Sequence, residues 1–238
     1  MSPLVDIHTH QPHPSSEGKE VVCLDITELH QTHHGDFDEI CHAVEGSGAY
    51  VSLGIHPWNA GLDDTAKFMD CLQAVIKNCP NILLIGEAGL DKSRPVDFSL
   101  QEEVFRQQVV LSEICRKPMV IHCVRSFDDL LRIRKALHPF QRWIVHGFRG
   151  KPQQAEQLLR AGMDISLGER FHPDVPHVVP LDRLWVETDM GKTTISSVYS
   201  AIIKALGIHL DLLVESVYRR FIQLTEISDL STHTQSSL

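Results

Sequence analysis

Three consecutive pieces decide the fold: "ILLIGE" (82–87), "SLQEEVFRQQVVLSEICRK" (99–117) and "MVIHC" (119–123). The first is a continuous apolar run of strand length that ends on a carboxylate. Such runs fit parallel strands buried on both faces. The second has helical spacing, with Leu100, Val104, Leu111 and Cys115 on one predicted face. Ser99 and Glu102 make a capping-box pattern at its start. The third is strand-like again and reaches His122. Strand, helix and strand in this order form a crossover unit, the connection a parallel pair requires.

The same rhythm extends in both directions. "LVDIH" (4–8), "VVCLDI" (21–26), "YVSLGIH" (50–56), "WIVHG" (143–147), "DISLG" (164–168) and "LWVETD" (184–189) complete eight predicted strands. "DDTAKFMDCLQAVIKNC" (63–79) and "KPQQAEQLLRAG" (151–162) read as helices, the latter stopping at Gly162. "HLDLLVESVYRRFIQLTEI" (209–227) reads as a final amphipathic helix, followed by a frayed tail at 231–238. The expected architecture is a single α/β domain over 1–238, a somewhat distorted (β/α)8 TIM-type barrel. Residues 11–35, rich in His, Pro, Ser and Thr, are expected to form an irregular first unit.

Composition narrows the function. A net charge of −9 without any Lys/Arg run argues against duplex binding through a basic surface. Any site handling phosphates must therefore supply positive charge locally. No apolar run approaches the ~20 residues that span a bilayer, and the N-terminus lacks the pattern of a signal peptide. The six cysteines form no CxxC pair and read as reduced core residues of a cytoplasmic protein. Neither a membrane nor an obligate protein partner is expected.

Barrel active sites lie at the C-terminal strand ends. Those ends carry His8 and His10, His56, Glu87, His122, His146 and Asp189. Only the second and seventh ends are less marked, although Glu169 follows the seventh. His8 and His10 are two residues apart, so an extended strand points both to one face. A carboxylate closing a buried strand, such as Glu87, must be paired or bind a cation. Imidazoles and carboxylates together suit divalent ions, and a carboxylate can bridge two of them ~3.5–4 Å apart. His13 falls off the strand and is left out of the ligand set, while His33 and His34 are candidates for the mouth of the barrel.

The motifs "DIHTH", "GIHP", "GEAGLD", "KPMVIHC", "WIVHGFRG" and "LWVETD" resemble, in order and spacing, those of the TatD-type metal-dependent deoxyribonucleases of the amidohydrolase superfamily. The resemblance runs from Val5 to about Asp189. It implies a hydrolase holding two divalent metal ions (Zn, Mg or Mn) and hydrolysing phosphodiesters with a bridging hydroxide, in the manner of a 3′-exonuclease. By the same resemblance His8 and His10 bind one ion with Asp189 close by, Glu87 bridges, and His122 and His146 hold the second. Asp189 activates the nucleophilic water, and His56 faces the substrate phosphate. Asp6 orients a histidine through a hydrogen bond, and Arg125 meets the phosphate. The implied partners are DNA ends, short oligonucleotides or a small phosphoester.

The chain also departs from the family pattern. After Asp189, "MGKTTISSVYSAII" (190–203) is shorter than usual, without the Ser-Pro-Tyr step or the arginine-bearing loop. Arg125 stands three residues after His122 rather than two, and the final helix lacks the usual asparagine. Lys151, Arg170 and Lys192 are available as replacement phosphate contacts, against an ordinary surface role. Two alternatives stand beside the nuclease reading. One is an amidohydrolase-type hydrolase of a small phosphoester, amide or lactone. The other is a non-catalytic metal-binding scaffold, whose mark would be a lost ligand, and none of the six is lost.

Overall fold

The computed structural model of the protein describes residues 2–11 and 18–235, with side chains to Glu226. Eight parallel strands run in sequential order in one sheet. They are β1 (Leu4–Thr9), β2 (Gly18–Asp25), β3 (Val51–Gly54), β4 (Ile82–Asp91), β5 (Met119–Val124), β6 (Trp143–Val145), β7 (Asp164–Leu167) and β8 (Leu184–Val186). The last strand meets the first through a parallel bridge between Thr9 and Asp189. Asp189 N donates to His8 O at 2.9 Å, and His10 N donates to Asp189 O at 3.1 Å. This seam brings the two ends of the expected TIM-type barrel together beside the predicted ligands.

The helices are α1 (Ile26–Thr32), α2 (Phe37–Ser47), α3 (Thr65–Asn78), α4 (Phe98–Cys115), α5 (Phe127–Leu137), α6 (Pro152–Arg160), α7 (Val175–Val178), α8 (Ile195–Leu206) and α9 (Leu210–Gln235). No single helix among the described residues is long and apolar enough to cross a membrane. One core cluster runs from Val5 and Ile7 on β1 to Leu213, Val217 and Phe221 on α9. Continuous burial along β3, β4 and β7 follows from their apolar runs, because helices cover the outside and side chains fill the inside.

Several local expectations are corrected. The cap of α4 is Asp97, whose carboxylate accepts from Ser99 N, so the Ser99/Glu102 capping box does not form. Glu102 instead binds Arg106 on its own helix and Arg132 on α5. The buried face of α4 is also rotated from the predicted one: Leu100 is 41% exposed, while Gln101 and Gln108 are buried. Both glutamines bond to strand ends. Gln101 Oε1 accepts from Asp91 N, and Gln108 Oε1 accepts from Ile55 N. Polar residues therefore sit on the inward stripe, which an apolar periodicity does not register. Within 11–35, β2 begins at the polar Gly18 and the short α1 starts at its Asp25 cap. His13 lies outside the described residues. The last helix runs on to Gln235, so a frayed segment beginning at 231 is not seen; 236–238 lie outside the described residues.

Candidate metal centre

The centre is built around Glu87, in the middle of β4. Gly86 and Gly89 flank it with φ of 142° and 151°, a region that side chains disfavour. A Cβ on Gly89 would lie inside contact distance of the His122 carbonyl oxygen, and one on Gly86 would meet that of Val120. The "GEAGLD" sequence thus lets β4 approach β5 closely enough to set Glu87 against His122.

The two oxygens of Glu87 divide the imidazoles into two groups. Oε1 faces His122 Nδ1 at 2.5 Å, His146 Nε2 at 2.6 Å and His56 Nε2 at 3.3 Å. Oε2 faces His10 Nε2 at 3.3 Å and His8 Nε2 at 3.5 Å. Asp189 Oδ1 stands 3.8 Å from Nε2 of both His8 and His10. Candidate ligand atoms gather in three sets: His8, His10, Cys23 and Glu87; His8, His146 and Asp189; His56, Glu87 and His122. Every residue predicted as a metal ligand is in this cluster. His56 joins it rather than standing outside; its Nδ1 accepts from Trp58 N at 3.2 Å, which fixes the ring.

The donor set fits divalent cations. Imidazoles with carboxylates suit zinc or manganese. Neither ring nitrogen of the fully buried His8 has a hydrogen-bond partner among the described residues, an expensive arrangement unless a cation takes a lone pair. Burial pushes the Glu87 carboxyl up, but His146, His10 and His122 outweigh it and hold it well below the usual range. Burial likewise lowers His146, and the charges of Glu87 and Glu187 reverse this and raise it well above its ordinary value.

Three carboxylates that sequence reading did not assign steady the centre. Asp91, four residues after Glu87, meets His122 Nε2 at 3.1 Å. Burial raises its carboxyl, but donors from Ser93, Trp58 and His122 prevail and bring it down to about 2. Glu187 lies 3.5 Å from His146 Nδ1 and accepts from Gly147 N at 2.6 Å. Carboxylates on the remote nitrogen of a ligating imidazole fix its tautomer and orientation. Asp25 closes β2, the strand whose end seemed unmarked, and accepts from His56 N at 2.8 Å. Cys23, read as core, is buried yet belongs to the cluster. Asp91 and Glu187 lie within the "GEAGLD" and "LWVETD" motifs, but only the fold shows which imidazole each one faces.

The Asp6 contact differs from the predicted one. Asp6 touches no imidazole ring; its carboxylate accepts from the amides of His8 and Thr188 and from the Thr188 hydroxyl at 2.6 Å. It holds the β1–β8 seam and positions Asp189 through the backbone. Arg125 is exposed, makes no polar contact among the described residues and is not among the residues lining the mouth. His33 faces Glu39 at 3.5 Å and does not line the mouth. Arg170 and Arg149 line a cavity of about 180 Å³ beside Asp189, whereas Lys151 caps α6 and Lys192 is exposed. The main mouth is a cavity of about 540 Å³, lined by His10, His56, Glu87, His122, Asp189 and Trp58 among others.

Known proteins resemble this chain in sequence and in fold. The metal-dependent hydrolase YjjV of Escherichia coli K12 is 26% identical over 202 residues, 78% of each chain. The 3′-5′ ssDNA/RNA exonuclease TatD of Rahnella sp. is 30% identical over 158 residues, 59% of this chain and 56% of that one. The crystal structure of the E. coli YjjV superposes with a TM-score of 0.75 at 20% identity, over 93% of this chain and 97% of that one. The family model of the TatD related DNases matches residues 5–219. The chain belongs to the TatD related DNase family.

Proposed function

We propose that the protein is a two-metal phosphodiesterase that removes nucleotides from the 3′ ends of single-stranded nucleic acid. One observation carries this reading: the two oxygens of Glu87 face separate histidine groups, His8/His10 and His122/His146. That is the arrangement of a bridging ligand between two ions. When bound, two such ions supply Lewis acidity, an activated water and a clamp for phosphate oxygens.

The chain's own groups do the rest. Glu187 and Asp91 hold His146 and His122 in place. Asp189, 26% exposed at its side chain and 3.8 Å from His8 and His10, is placed to take a proton from the attacking water. Arg149 and Arg170, in the cavity beside Asp189, are placed to meet the phosphates of the strand. They supply locally the positive charge that a net −9 surface lacks. Names of relatives such as the Rahnella exonuclease support the substrate class.

The test is metal analysis with hydrolysis of a labelled single-stranded oligonucleotide. Wild-type protein should hold two ions and shorten the strand one nucleotide at a time. E87Q should lose metal and more than about 100-fold of the activity, beyond the ~10–100-fold that outer partners cost. Full activity with two ions retained in E87Q would exclude the bridging role. Turnover of carboxyl esters or lactones only would exclude the nuclease reading.

A further inference from the structure

The mouth carries a feature that the hydrolytic centre does not use. Trp58, in the short turn Pro57–Asn59 after β3, is 45% exposed beside the candidate ligands. Its indole is held rigidly. Nε1 donates to Asp91 Oδ2 at 2.7 Å, and the ring packs edgewise on His56, with centroids 4.7 Å apart. The guanidinium of Arg94, from the loop between β4 and α4, lies 3.9 Å from the ring centroid. Arg94 is exposed, and its charge has no carboxylate partner among the described residues. Met190, directly after Asp189, lines the same cavity and is 66% exposed.

A large aromatic ring left in water at the edge of a strongly polar centre has a cost that a flat apolar ligand removes. The ligand must also bring an anionic group to the centre. A nucleotide has both parts. Bases stack on aromatic side chains with little regard to sequence, and an arginine over the ring strengthens the platform. The cavity volume of about 540 Å³ falls within the ~300–1,000 Å³ of small-ligand sites.

We propose that Trp58, backed by Arg94 and with Met190 in the same cavity, is the platform on which the terminal nucleobase of the strand stacks while its phosphate lies at Glu87. This rests on the phosphodiesterase reading above and adds to it the group that separates nucleic acid from a small phosphoester. It also identifies contacts that compensate for the short segment after Asp189.

The experiment compares two substrates: a single-stranded oligonucleotide with a terminal base, and the same strand with an abasic terminal sugar. Wild-type protein should prefer the first in kcat/KM by roughly 5- to 150-fold, the range base–aromatic stacking supplies. W58A should reduce that preference to near unity. W58F, which keeps a ring but gives up the bond to Asp91, should retain most of it, and R94A should weaken it. A readout without turnover accompanies this. The oligonucleotide should quench indole fluorescence in wild type and not in W58F, since Trp143 and Trp185 are buried. An equal preference in wild type and W58A overturns the platform. So does a W58A variant that loses both substrates in the same proportion, because Trp58 would then act only through Asp91 and His122. A wild-type protein that cleaves neither strand, nor bis(p-nitrophenyl) phosphate, overturns the phosphodiesterase reading itself.

Discussion

Four of the centre's carboxylates differ in their surroundings. Glu87 is surrounded by imidazoles, Asp91 and Glu187 each hold one imidazole from behind, and Asp6 holds only backbone amides and a threonine hydroxyl. Histidines were the legible part, because a polar residue closing an apolar strand stands out in sequence. Their carboxylate supports were not legible, since which carboxylate reaches which ring nitrogen depends on close approach across strands. Asp6 illustrates this. Its place two residues before His8 suggests an imidazole contact, yet its carboxylate bonds the amide and hydroxyl of Thr188 across the seam. We expect D6A to leave the buried His8 and Thr188 amides without acceptors. At ~1–3 kcal/mol for each unsatisfied group, urea unfolding should register a loss of about 2–6 kcal/mol. D6N keeps an acceptor and should lose less; equal stability of D6A and wild type would contradict the seam role.

At the scale of elements, β4 and α4 are the instructive pair. The strand was readable from its apolar run, and the glycines of "GEAGLD" state in sequence that backbone comes close there. The partner of that approach, β5, emerges only from the register in which Gly89 faces His122. The inward stripe of α4 was misplaced because Gln101 and Gln108 are buried to serve the ends of β4 and β3. Those bonds tie the helix to the strand ends that carry Asp91 and His56. G89A adds a Cβ against the His122 carbonyl in a left-handed backbone region, so strain and steric overlap act together. Thermal denaturation should show a loss of more than ~3 kcal/mol, at the diagnostic end of single substitutions. A G89A protein of normal stability with full metal content would show that the close β4–β5 approach does not set Glu87.

For the molecule as a whole, the ends of β1 to β6 and the segment after β8 converge on one mouth, and the seam between Thr9 and Asp189 unites residues far apart in the chain. The alternation of strands and helices made this architecture legible. The composition of the mouth was less so: Arg149, Arg170, Trp58 and Met190 come from separate loops, and loops carry no periodicity to read. The proposed function rests on two ions held on either side of Glu87. Anomalous diffraction from crystals grown with manganese tests that most directly. Two peaks ~3.5–4 Å apart, one beside His8 and His10 and one beside His122 and His146, with Glu87 between them, are the predicted result. A single peak, or metal bound away from Glu87, would contradict it.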